Sequence, residues 1–66
     1  MRFQKNDWVT LNKTQYFSDG INIPIGTSGQ IKSAGQIIGG EEFYSVEFVN
    51  NFGIRIIWGG DLIHFQ

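Results

Sequence analysis

The sequence predicts an all-β protein, a small five-stranded barrel with a long first loop. Three observations carry this. Apolar and polar residues alternate with period 2 over several short windows, and no window shows an apolar stripe at helical spacing. Nine glycines are scattered through 66 residues, which breaks the chain into short elements. Six Phe, two Trp and two Tyr supply bulky side chains that each bury a large area, as a core built without disulfides requires. Closure into a barrel is expected because it removes the bare edges of a flat five-stranded sheet.

The first strand is expected over residues 7–12 (DWVTLN), with Val9 and Leu11 on one face and Trp8 and Thr10 on the other. A long connection over 13–26 follows. Asp19-Gly20 marks a tight turn there, and Pro24 pushes Ile23 towards extended geometry. The second strand spans 29–33, between turn glycines Gly26 and Gly29 and a loop over 34–41 that turns at Gly39-Gly40. The third strand, 42–49, has the clearest pattern: Tyr44, Val46 and Phe48 share one face, Phe43, Ser45, Glu47 and Val49 the other. Asn50-Asn51 makes the next turn, since Asn tolerates the left-handed region. The fourth strand, 54–58, alternates Ile54, Ile56 and Trp58 with Arg55 and Ile57, so both faces read as apolar. Gly59-Gly60-Asp61 ends it, and a short fifth strand covers 62–65. Residues 1–66 read as a single domain.

Composition narrows the function. The chain has no cysteine and one histidine, which removes thiolate zinc, iron–sulfur and His-rich metal sites; no metal and no cofactor are expected. A net charge of −1, with five cations against six carboxylates, lacks the basic stripe of a phosphate-backbone binder. Residues 1–7 lack the apolar run of a secretory signal, and no stretch approaches a membrane helix. A soluble, cytoplasmic protein is the expectation.

The stretch IPIGTSGQIKS, residues 23–33, is the most chemical-looking part of the chain. A phosphate-cradling loop needs glycine before its lysine and a helix after it. Here Ile31 precedes Lys32 and strand follows, so Ile31 is expected in the core and Lys32 outside it. His64 reads as a solvent-facing strand residue with no oriented partner, and the carboxylates as solvated. No catalytic residue is expected, and the protein is not expected to be an enzyme.

The aromatics carry the functional reading. Trp8, Tyr16, Phe17, Phe52 and Trp58 are the rings expected to escape the core or to plug the open ends of the barrel. With Lys32 and Arg55, expected on neighbouring strands, they form the candidate protein-contact surface. A nucleic-acid-binding barrel is the alternative; it would need cations interleaved with the rings. A small phage or defence-system inhibitor is a third reading that no residue carries.

Two resemblances sharpen this. The order Asp7-Trp8-Val9-Thr10-Leu11, a long loop, Gly26-Thr27-Ser28-Gly29-Gln30-Ile31 and a closing Asp61-Leu62-Ile63 resembles the SH3-like barrels. The run Gly26, Gly29, Ile31-Lys32, Gly35, Ile37-Ile38, Phe43-Tyr44-Ser45-Val46, Phe48 and Asp61-Leu62 is similar to the nitrogen-fixation accessory family NifZ. More generally, the chain resembles the variable chain of ferredoxin–thioredoxin reductase and the PsaE subunit of photosystem I. These resemblances imply a non-catalytic accessory module that supports assembly or docking of a redox or iron–sulfur partner, so the expected partner is another protein.

Overall fold

The computed structural model describes residues 2–65, with side chains throughout that range apart from 34–36. Seven strands form: β1 (Trp8–Leu11), β2 (Gln15–Tyr16), β3 (Asn22–Ile23), β4 (Ser28–Ile38), β5 (Glu41–Phe48), β6 (Gly53–Trp58) and β7 (Leu62–His64). Five of them make one antiparallel sheet in the order β6-β5-β4-β1-β7, curled into a half-barrel compatible with the small barrel expected. β6 and β7 lie at opposite ends of the sheet and are not hydrogen-bonded neighbours. A turn of 3-10 helix, Gly59–Asp61, carries the chain from one to the other.

The long connection is not bare loop. β2 and β3 pair within it as a small hairpin around Asp19-Gly20, where the Asp19 carboxylate accepts the Ile21 N–H at 3.0 Å. Ile23 is fully buried, so this hairpin is pinned to the core by its own strand.

Two local expectations need correcting. The loop placed over 34–41 is strand as far as Ile38, because the backbone of Gln36, Ile37 and Ile38 pairs with Phe43, Glu42 and Glu41. Two register shifts, between Ile31 and Ser33 and between Ser33 and Gln36, absorb the small residues that read as a break. The turn itself falls at Gly39-Gly40, both at positive φ, as expected. Gly29, in turn, is a strand residue and not a turn residue. A Cβ there would stand 2.7 Å from Val46 Cγ1 and 2.8 Å from the Glu47 carbonyl oxygen, so only glycine lets β4 lie this close to β5.

The inner face of the sheet holds Val9 and Leu11 of β1, Ile31 of β4, Tyr44, Val46 and Phe48 of β5, and Leu62 of β7. The fourth expected strand shows how the core face is chosen. From sequence both of its faces read as apolar, which leaves the choice open. The structure makes it: Ile57 is 1% exposed, while Ile54 and Ile56 are 59% and 54% exposed. The cause is register. Asn50 and Asn51 both take left-handed φ, 63° and 64°, and the turn they make sets Tyr44 opposite Ile57 and Val46 opposite Arg55. Residues directly opposite across an antiparallel pair share a face, so the inward Tyr44 and Val46 carry Ile57 and Arg55 in with them. The fourth strand therefore has one apolar face outside and a mixed face inside.

The two open ends of the half-barrel are covered differently. Phe3 is fully buried at one end, edge-on to Tyr44 at 5.3 Å and to His64 at 4.7 Å. Phe17 and Phe52 pack against the core as partly buried rings.

Candidate functional site: the outer face of the sheet

The seven residues singled out from sequence separate into two groups. Phe17, Phe52 and Arg55 face the interior. The Arg55 guanidinium lies 4.7 Å from the Phe17 ring centroid, bonds Asp19 Oδ2 at 2.7 Å and donates to the Phe52 carbonyl at 3.3 Å. This clasp fastens the β2–β3 turn to the β5–β6 hairpin. The charge contact holds the Asp19 carboxyl below its ordinary value, chiefly through the Arg55 hydrogen bond. Trp8, Tyr16, Lys32 and Trp58 remain outside. Tyr16, on the small hairpin, is 76% exposed. Lys32 is paired with Glu47 at 3.2 Å and donates to Gln30 at 3.2 Å. Contrary to the expectation from sequence, Lys32 and Arg55 are not on neighbouring strands: β5 lies between β4 and β6, and the two cations pair on opposite faces, Lys32 with Glu47 and Arg55 with Asp19.

Near β1 and β7 the outer face forms a groove. Thr10 and Ser28, opposite each other on β1 and β4, share a hydroxyl–hydroxyl hydrogen bond of 3.2 Å that makes its floor. On one side Trp8, Val49 and Phe65 enclose a depression of about 400 Å³; on the other, Ile63, Phe65 and Gly26 border one of about 310 Å³. Both share Ser28 and Phe65, so they adjoin. Each strand contributes through period 2: because Val9 and Leu62 point into the core, Trp8, Thr10 and Ile63 must point out. No Lys, Arg, Asp or Glu lines either depression, and His64 borders the smaller one.

At the opposite end of the sheet, Ile54, Ile56 and Trp58 form an apolar stripe on β6, with Phe43 of β5 directly opposite Trp58. The Trp58 ring lies over Gly60, at 2.7 Å from where a Cβ would stand, so the absent side chain gives the indole its seat.

A polar relay seals the Phe3 end. The Phe3 N–H donates to the Tyr44 hydroxyl at 3.3 Å, and that hydroxyl donates to Glu42 Oε1 at 2.7 Å. Arg2 reaches the Gly59 carbonyl at 3.1 Å. The Tyr44 bond holds the Glu42 carboxyl below its usual value, while burial and then Glu42 push the Tyr44 hydroxyl above 10.0. The relay joins the N-terminal segment to β5. Among those residues, no group of three or more His, Cys, Asp or Glu gathers to hold a metal.

Sequence reasoning missed Val49, Ile63 and Phe65 in the groove and Ile54 and Ile56 on β6. The signal was alternation: once Leu62 is assigned inward, Ile63 faces outward, with Phe65 two residues on. Comparison with protein-family models, with curated proteins and with solved structures finds no match to this chain.

Proposed function

We propose that this protein is a non-catalytic protein-interaction module whose docking site is the Trp8–Phe65 groove. The observation that carries the reading is a groove with largely apolar walls, a hydroxyl floor, a single imidazole (His64) at one side and no Lys, Arg, Asp or Glu in its lining. Such a site fits an extended, uncharged segment of another protein, whose apolar side chains fill the two depressions while its polar groups meet Thr10 and Ser28. The placement of the cations favours protein over nucleic acid. Lys32 is tied to Glu47 and Arg55 to Asp19, so neither stands free beside the exposed rings as stacking recognition of bases requires.

Redox and metallocluster proteins come first among candidate partners, on the resemblance to NifZ alone. The matched positions Gly29, Ile31, Tyr44, Val46 and Phe48 are packing positions, so they speak to the fold and leave the partner to experiment.

The test is affinity capture with the full chain, identified by mass spectrometry, using wild type, Trp8→Ala/Phe65→Ala and Tyr16→Ala. The reading predicts a partner retained by wild type and Tyr16→Ala and lost from the groove variant, with capture little changed by added salt. Equal capture by the groove variant would place the contact elsewhere. Recovery of nucleic acid released by salt would support the alternative barrel reading.

A further inference from the structure

We infer that β6 is a self-association edge, through which two copies of this chain pair antiparallel about a two-fold axis at Ile56. Among the described residues β6 is hydrogen-bonded on one side only, to β5, so its other side presents a row of backbone donors and acceptors that they leave unpaired. Proteins that keep such an edge monomeric blunt it with proline, charged side chains pointing either way, a bulge, shortness or a covering segment. β6 carries one such device, the inward Arg55, and Asp19 already neutralises that charge; otherwise it has six residues, no proline and an unbroken register with β5. The other edge, β7, is only three residues long.

The strand is also complementary to itself. Antiparallel pairing with Ile56 opposite Ile56 of the second copy sets Ile54 opposite Trp58 and Gly53 opposite Gly59. All three outward apolar side chains of each copy then meet apolar partners on the same face, and glycines meet at both ends. A shift of one residue would place these side chains against the inward set and lose that match. Electrostatics do not oppose the pairing. The chain carries a net charge of −1, and Glu47, beside Ile54 in the ladder, is already paired with Lys32. The product is an isologous dimer with one continuous sheet across the axis. The groove lies at the far end of the sheet, so both copies keep it open.

The test is light scattering or sedimentation of the full chain over a roughly hundredfold concentration range, since association follows mass action. Wild type is expected to move from the 7.5 kDa monomer mass to twice that value. Ile56→Lys and Ile56→Glu each place like charges together at the axis and are expected to weaken association by about tenfold or more. Mixed in equal amounts they should associate again, because Lys then meets Glu. Cooperative unfolding of each variant alone confirms that it is folded. Trp8→Ala should dimerise as wild type does. Wild type that stays monomeric throughout would overturn the proposal, as would association undiminished in Ile56→Lys, a folded mixture that remains monomeric, or loss of the dimer in Trp8→Ala. None of these results bears on capture of a partner by the groove, so the two proposals fail separately.

Discussion

Adjacent isoleucines on β6 should respond to truncation in very different ways. Ile57 is 1% exposed and sits opposite Tyr44, so Ile57→Ala leaves a cavity in the core and should cost about 2–5 kcal/mol. Ile56→Ala removes three carbons worth roughly 0.8 kcal/mol each when fully buried. With Ile56 54% exposed, about half of that contact exists within one copy, leaving a cost of about 1 kcal/mol. A chain of 66 residues has only about 3–10 kcal/mol to lose, so Ile57→Ala should forfeit a large share of its stability. Urea unfolding followed by circular dichroism measures both. At a slope of about 1 kcal/mol per molar, Ile56→Ala should lower the midpoint by about 1 M and Ile57→Ala by at least twice that. The measurement belongs at concentrations where tenfold dilution leaves the midpoint unchanged, which keeps self-association out of the comparison. Equal losses, or a larger loss at Ile56, would refute the assignment of faces on β6.

Phe3→Ala should cost about 3–5 kcal/mol in the same assay, since its ring is fully buried against Tyr44. Tyr44→Phe keeps the ring but leaves the buried Phe3 N–H without its acceptor; a loss of about 1–3 kcal/mol is expected, read as a lower urea midpoint. Gly29→Ala forces β4 away from β5 and should cost about 1–3 kcal/mol, with altered amide shifts at Val46 and Glu47. Asp19 and Glu42 both sit below their ordinary values of 3.8 and 4.5 in the folded state, so the unfolded chain takes up their protons first as pH falls. Their contribution is complete above those values and is lost on acidification below them, and Asp19→Asn should flatten part of that slope in a pH series of thermal melts. Tyr44 behaves oppositely: raised above 10.0, it stabilises below that pH and its contribution is lost as pH rises through the folded value.

Much of the fold was legible because the third expected strand fixes its own orientation. Tyr44, Val46 and Phe48 point inward by simple alternation, and the Asn50-Asn51 turn was recognisable from residue type. What could not be read was the consequence of joining them. The turn sets the register, the register decides the face of β6, and it does so against the local count of apolar side chains. The extension of β4 past Ser33 escaped notice because Ala34 and Gly35 read as breakers, while long-range pairing with β5 holds the strand together. Phe3 lies outside any alternating window, so nothing local marked it as core. Of the candidate surface, Trp8 and Trp58 were legible as rings a small barrel cannot hide. Phe17, Phe52 and Arg55 form a clasp that depends on two distant hairpins meeting, which no spacing along the chain reveals.

Conflict between local preference and tertiary register is informative where it leaves apolar side chains outside. Ile54, Ile56 and Trp58 would make a good core face, yet the hairpin holds them at the surface, next to an unpaired edge. That arrangement leaves apolar surface in want of a second layer, which is what a contact surface supplies.

The register of the β5–β6 hairpin decides which face of β6 is buried, and cross-strand proton contacts in solution measure it directly. Nuclear Overhauser contacts are expected between the Tyr44 ring and the Ile57 side chain, and between Val46 and the Arg55 methylenes. Contacts linking Tyr44 and Val46 to Ile56 and Ile54 instead would mean a one-residue slip, which would put the apolar stripe in the core and overturn the assigned register.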